Sequence, residues 1–329
     1  MASVRTLDKR RYFLRKVANA LLTVIVVASF NFVLFRILPG DPARLLLPKG
    51  KFQASAIEKQ RKTFHLDQPL WKQFGLYWYD TFRLELGQSF AEKRPVSQVV
   101  GERIWPTVLL VGTGTIIATL IGYITGVFAA WRRNSGYDVF STNLGMFFYS
   151  MPTFWFALLC IMIFSVKLGW FPVGRMSEPG AAYANWWGHV QAVLYHMILP
   201  VLTFAIAYVG EYHLIMRSSL TGVMKEDYVL TARAKGLSDN RVLWRHVVPN
   251  AMLPTVTLVM MNLGFVMSGT ILTESVFNWP GLGLLSYDSM MKRDYPVMQA
   301  VFLLASVAVI LANLIADIMY YYLDPRVKA

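Results

Sequence analysis

The chain has 329 residues, 55% of them hydrophobic and only 16% charged, with a net charge of +13 and a mean hydropathy of +0.43. A soluble chain of this length would form about two domains, but here the apolar residues gather into runs of roughly 20 or more, enough to cross about 30 Å of hydrocarbon, which excludes an ordinary soluble protein. The basic excess sits at the ends of these runs without a folded basic domain carrying stacking aromatics, which excludes a nucleic-acid binder, and the one cysteine, Cys160, inside an apolar run, excludes an intrachain disulfide or a cysteine metal cluster.

Taken in chain order, residues 1–16 carry Arg5, Lys9, Arg10, Arg11, Arg15 and Lys16 against Asp8. The apolar run over 17–38 is too long for a signal-peptide core and lacks a small-residue cleavage site, so an uncleaved first span is expected. The positive-inside rule puts its N-terminus in the cytoplasm. Residues 39–105, opening on Pro39-Gly40-Asp41-Pro42, form the one sizeable polar segment and are expected outside. Helices are predicted over 54–64 and 69–82, the second with Trp71, Phe74, Tyr77 and Trp78 on a face read as packing the segment onto the core, with a direct ligand groove as the alternative.

A second span is predicted over 107–130, with Gly122 and Gly126 at a spacing that lets helices approach closely. A third, over 139–166, contains Ser150-Met151-Pro152, read as a kink. An outer loop over 167–195 holds Trp170, Trp186 and Trp187, and a fourth span over 196–220 carries Glu211, His213 and Arg217 toward its inner end. An ionisable group at membrane depth is a functional-site candidate; for Glu211, pairing with a neighbouring helix or reaching water is an equal alternative.

The polar stretch 217–253 between spans is patterned for two helices. Val229, Ala232 and Gly236 recur at helical spacing over 225–235, Gly236 stops the first helix, Ser238 and Asp239 start a second, and Pro249 is expected to end it. A fifth span is predicted over 254–277, with Gly264, Ser268 and Gly269 on its small face and Glu274 near the outside, followed by an interfacial turn at Trp279, Pro280 and Gly281. The sixth, over 297–322, contains Asp317, expected to face protein or a polar lumen, and ends in Asp324-Pro325-Arg326. The fold class is therefore an all-α integral membrane protein: six transmembrane helices with both termini cytoplasmic, divided into 1–38, an extracytoplasmic helical segment 39–105, and a five-helix core 106–329.

No phosphate-binding G-x-x-x-x-G-K-[ST] stretch occurs, so if the chain moves something uphill, the energy must arrive from a partner. No nucleophile elbow or metal-ligand spacing is found either, and His189 and His196 read as ordinary surface histidines. Catalytic, cofactor-binding and metal residues are expected to be absent from this chain.

Ala232, Gly236, Val248 and Pro249 fall where the cytoplasmic "EAA" loop of ABC-importer permeases has its alanine, glycine, hydrophobic residue and proline. DYVLTARAKGL (227–237) and VPNAMLP (248–254) resemble more specifically the first permease subunit of the dipeptide/oligopeptide family, as do PGDP, LDQPLW (66–71), LGQSF (86–90), HMILP (196–200) and ESVFNWPGLG (274–283). Leu230 and Thr231 depart from the generic loop, standing where it has Glu and Ala. The resemblance implies a bacterial or archaeal cytoplasmic-membrane subunit that works with a second homologous permease, two ATPase subunits that hold ATP and Mg, and an extracytoplasmic binding protein delivering di- or oligopeptides. Relatives move nickel, glutathione or sugars instead. It implies ATPase coupling through Tyr228, Ala232, Arg233, Ala234, Gly236, Leu237 and Pro249. It implies a binding-protein side at Trp187, Trp279, Pro280 and Gly281, while Glu211, His213, Glu274 and Asp317, as ionisable groups in or near the spans, are candidates for the translocation pathway or for polar intramembrane positions. An ion-coupled transporter using Glu211, Glu274 and Asp317, or a membrane-embedded enzyme, are the readings from other classes. The carboxylates are scattered near span ends rather than gathered at the midplane, and no convergent catalytic set can be assembled.

Overall fold

Small residues decide where this helical bundle is tight. In the computed structural model, which describes residues 2–37, 68–178, 180, 181, 183, 185–266 and 269–323, the named elements are all helices. The helix expected over 54–64, the Pro39-Gly40-Asp41-Pro42 motif, Ser268 and Asp324-Pro325-Arg326 lie outside those residues.

Helix α1, Ala2–Ile37, meets α2, Leu70–Phe82, through Phe32, whose ring lies 5.4 Å from those of Phe74 and Tyr77. The expected aromatic stripe thus packs on α1, except that Trp71 stays exposed. Helix α3, Val96–Thr107, continues through a wide π turn, Val108–Gly112, into α4, Thr113–Trp131. The helix that carries the second apolar run therefore begins at Val96, earlier than that run suggested, where Val96, Val99 and Val100 bury against the chain's C-terminal third.

Helix α5, Gly136–Ser150, and α6, Thr153–Cys160, with its π extension Ile161–Lys167, lie 98° apart. This corrects the expected kinked third span to a sharply broken one. A proline disfavours the helical conformation of its predecessor, and Met151 (ψ 137°) and Pro152 (ψ 122°) are both extended, so the chain turns a corner there. Helix α7, Trp186–Val223, starts ten residues before the expected fourth span and takes Trp186 and Trp187 into its first turn, Asn185 capping it by accepting from the Gly188 N–H at 2.8 Å.

The pair α4 and α7, which run in the same direction, is the spine. A Cβ on Gly122 would fall 2.5 Å from Tyr212 Cβ, and one on Gly126 2.7 Å from the His213 carbonyl oxygen. Helix α5 crosses the same helix at Gly145 and Gly210, where a Cβ on Gly210 would lie 2.2 Å from the Gly145 oxygen. Because that neighbour is backbone and cannot swing away, Gly210→Ala should destabilise the protein by roughly 1–3 kcal/mol as overpacking. Gly145→Ala, which meets only the Gly210 Cα at 3.2 Å, should cost less. Thermal unfolding in detergent checks the order.

The polar stretch forms α8, Asp227–Ala234, then α9, Asp239–Val242, a π turn Leu243–Val247 and α10, Val248–Ala251. Helix α11, Leu253–Val266, follows, then α12, Ile271–Val276, α13, Leu282–Lys292, and α14, Tyr295–Leu323. The expected unbroken fifth span is corrected: Gly269 sits at φ +69°, and the 14 residues of α11 make a helix of about 21 Å. Arg11–Arg36, Val96–Trp131, Trp186–Val223 and Tyr295–Met319 are long and apolar enough to cross a membrane, and two bent pairs raise the four to six if each is one span. The second pair reaches that length only by joining Asp239–Ala251 to Leu253–Gly264 across a 47° bend.

Two motifs far apart in sequence meet on Asp294, which is buried before α14. Its carboxylate accepts from the Ser89 hydroxyl and, at 3.0 Å each, from the Phe90 and Ala91 N–H groups. The segment between α2 and α3 is thereby tied to the last helix.

Candidate functional site

The two-helix element of residues 227–251 is built on one buried face. Val229 and Ala232 point inward with Val242, Leu243, Val247, Val248 and Ala251, onto Val127 and Ala130 of α4 and Met216 and Leu220 of α7. The turn between the helices needs Gly236, whose φ of +74° L side chains rarely adopt. There the Gly236 N–H reaches the Arg233 carbonyl at 2.9 Å and the Leu237 N–H the Ala232 carbonyl at 3.4 Å, a Schellman-type closure. Ser238 has the extended backbone of an N-cap but makes no side-chain cap bond.

Pro249 does not end the second helix, as the sequence suggested; the helix runs on to Ala251. A proline inside a helix removes a donor and crowds the preceding turn, and here the wide π turn Leu243–Val247 comes directly before it. Of the residues expected at a partner surface, Tyr228, Arg233, Ala234, Gly236 and Pro249 are exposed and Leu237 is partly so, whereas Ala232 is consumed by the element's own core. Leu230 and Trp244 also face outward, two apolar side chains that the motif did not single out. Ser219 at the end of α7 donates to the Ala251 carbonyl at 2.8 Å, fastening the element to that helix.

Just beneath lies a polar node shared by α4, α5 and α7. Asp138, 1% exposed, receives the Arg217 guanidinium in a two-point fork, Nη2 to Oδ2 at 2.8 Å and Nε to Oδ1 at 2.5 Å. Its position is set locally, since Ser135 caps α5 by accepting from the Asp138 N–H at 3.2 Å and Asp138 accepts from the Asn134 N–H at 2.9 Å. One turn before Arg217, buried His213 places Nε2 3.1 Å from Thr142 Oγ1 of α5 and Nδ1 3.0 Å from Thr125 Oγ1 of α4. Glu211 is half-buried on α7 outside this node. Sequence reasoning found His213 and Arg217 but missed Asp138; the Ser-x-x-Asp cap was legible, and the partner 79 residues away was not.

A second node closes the break between α11 and α12. Glu274, fully buried, accepts from the Thr107 hydroxyl at 3.1 Å, the Thr270 N–H at 3.3 Å and the Leu284 N–H at 2.9 Å. Thr107 Oγ1 in turn accepts from the Leu282 N–H at 2.7 Å. Trp279 corrects the expectation of an interfacial docking turn: it is fully buried among Leu110, Met197, Val201 and Phe204, with Nε1 donating to the Pro106 carbonyl at 2.8 Å. Gly281 is buried beside Glu274 and Pro280 is partly covered, so of the four residues assigned to that side only Trp187, 58% exposed, offers free surface. The apolar ring of Trp279 fills the space left where the helices break, which outweighs any preference for a membrane interface.

Asp317 pairs with Lys16 of α1 at 2.9 Å. The carboxylates thus stand apart, each with its own surroundings. Near the Gly269 break a cavity of about 130 Å³ is lined by Thr115, Tyr208, Tyr212, Asn262 and Thr270, with the Asn262 amide donating to the Tyr212 hydroxyl at 2.7 Å. Among the described residues, no three His, Cys, Asp or Glu side chains converge as a metal site.

The family model described as "Binding-protein-dependent transport system inner membrane component" matches residues 122–329, and its N-terminal companion matches 9–111. The chain is 38% identical over 319 residues to the glutathione transport system permease protein GsiC of Escherichia coli (strain K12), covering 96% of this chain and 98% of that one. It is 40% identical, with the same coverage, to the protein of that name from Salmonella typhimurium (strain LT2).

Proposed function

Because the chain belongs to the family of binding-protein-dependent transport system inner membrane components, it is a permease subunit of an ABC importer, and we propose that it forms half of an import pathway for a short peptide. Glutathione, an acidic tripeptide, is the first substrate to test, since it is the cargo in the names of the full-length relatives. The other half of the pathway comes from a second homologous permease, the energy from two ATPase subunits carrying Mg-ATP, and the cargo from an external binding protein. Residues 227–251 face the cytoplasm, as do both termini.

One observation carries the coupling assignment. The loop element spends Val229 and Ala232 on gripping α4 and α7, yet leaves Tyr228, Leu230 and Trp244 exposed on the outside. An element seated by one face and apolar on another suits a groove on an ATPase subunit, and motion of that subunit passes directly to two pathway helices. The ion-coupled alternative loses its footing, because Glu274 is held by the break and Asp317 by Lys16, on separate helices.

The test is purification of the tagged protein in mild detergent with its copurifying chains, followed by ATPase assays with the binding protein. Glutathione-loaded binding protein should raise hydrolysis by about tenfold, equivalent to about 1.4 kcal/mol in barrier, with dipeptides and nickel giving less. Stimulation by a dipeptide or nickel instead would replace the cargo, and recovery of this chain alone without ATPase would overturn the assignment.

A further inference from the structure

We propose that the Asp138–Arg217 fork, with His213 beside it, is a positioning device that carries motion of the loop element from α7 into α5, and through the corner at Pro152 to the helix break near Gly269. This rests on the importer assignment above and assigns the node a role in coupling.

Helix α7 is gripped by the loop element at its end, where Ser219 bonds the Ala251 carbonyl and Met216 and Leu220 enter the element's core. Arg217 lies within that gripped turn, so whatever rotates or shifts the element also moves its guanidinium. A two-point fork resists swivelling as well as separation, since rotation of either partner breaks the parallel geometry of both bonds. Farther along, α5 touches α7 at Gly145 against Gly210, a close backbone contact flanked by Tyr149 Cβ that makes no directional bond between the helices. The fork and the His213–Thr142 contact therefore supply the registration that the glycine crossing lacks.

Beyond Pro152 the chain turns by 98° into α6. There Ala157, Cys160 and Ile161 pack with Leu199 of α7 and with Phe277, the residue that ends α12. A two-limbed lever thus runs from the loop element to the segment beside the break. Its α5 limb is held by charge and its α6 limb by apolar packing. A hydrophobic pair in place of the fork would hold the helices together but would tolerate slip, and that difference separates transmission from mere cohesion.

The experiment uses the complete complex in proteoliposomes, measuring radiolabelled glutathione taken up per ATP hydrolysed. Arg217→Lys keeps the charge and loses the fork, and Asp138→Asn keeps the shape and loses the charge. Each should assemble and retain stimulated ATPase within about twofold while uptake per ATP falls about tenfold. Glu102→Gln, which breaks the exposed pair with Arg94, should leave that ratio unchanged. An unchanged ratio in both node variants, or ATPase and uptake falling in parallel, would overturn the proposal by making the fork a structural clasp only. If neither charge variant assembles, Thr142→Val decides: it removes one neutral contact with His213, and the ratio should fall about threefold, with no fall counting against the device. Failure of the importer assignment itself is recognisable separately, because the unmodified complex would then show no ATP-driven uptake.

Discussion

Gly236→Asp should leave the protein in the membrane at close to its normal level, with only a modest loss of thermal stability, while lowering ATP-driven uptake at least about tenfold. The turn at φ +74° is a left-handed one, and aspartate is among the few residues that visit that region, at a cost of about 1–2 kcal/mol or less. A Cβ there meets nothing within 4 Å, so no clash forces the loop apart. What changes is the exposed tip between α8 and α9, beside Leu237 and close to Arg233 and Ala234, where a negative charge now projects from the surface proposed to meet the ATPase. The glycine pattern alone suggests that such a change disturbs both the bend and the docking; the open space around Gly236 separates the two effects. Gly236→Val, β-branched and poorly suited to positive φ, should lose more stability than Gly236→Asp. Quantitative blotting of the membrane fraction alongside uptake measures both, and normal uptake in Gly236→Asp would remove the loop element from coupling.

Glu274→Leu should be the most destabilising single substitution in the break region. It leaves the Thr270 and Leu284 N–H groups and the Thr107 hydroxyl without the acceptor they now share. Each buried donor left unpaired costs roughly 1–3 kcal/mol, so a total of roughly 3–6 kcal/mol is expected after partial rearrangement. Gly281→Ala should reproduce much of the loss from the other side, since its Cβ would fall 2.4 Å from Glu274 Oε2 and 2.5 Å from Thr107 Oγ1. Glu274→Gln keeps one acceptor oxygen and should fall between these and the unmodified protein. Abundance in the membrane and the unfolding midpoint in detergent are the readouts. A Glu274→Leu protein of ordinary stability would mean that the break is held by Trp279 and its apolar neighbours alone.

The two nodes also show why the conspicuous charges were only half informative. Glu211, Glu274 and Asp317 stood out because an apolar run makes any carboxylate visible, but visibility says nothing of partners. Glu274 proved to be a receiver of backbone N–H groups and Asp317 one half of an ion pair with α1. Asp138, at the edge of its run and inside a short polar patch, drew no notice, yet it is the carboxylate that Arg217 grips.

By itself the sequence determined that the chain is helical and membrane-embedded, where most long apolar helices lie, that Gly236 turns the loop element, and, through its motifs, the transporter family. Those features are local: hydropathy over a window, a positive-φ glycine, residue types at fixed spacing along one stretch. Only the tertiary structure decided that the third apolar run turns a corner at Pro152, that the fifth stops at Gly269, that Ala232 and Trp279 face inward, and that Asp138 meets Arg217. Each of these depends on what packs from elsewhere in the chain. A proline permits a corner but its size is set by the helices α6 lies against, and a tryptophan goes to the interface or the core according to which cavity the broken helices leave for it.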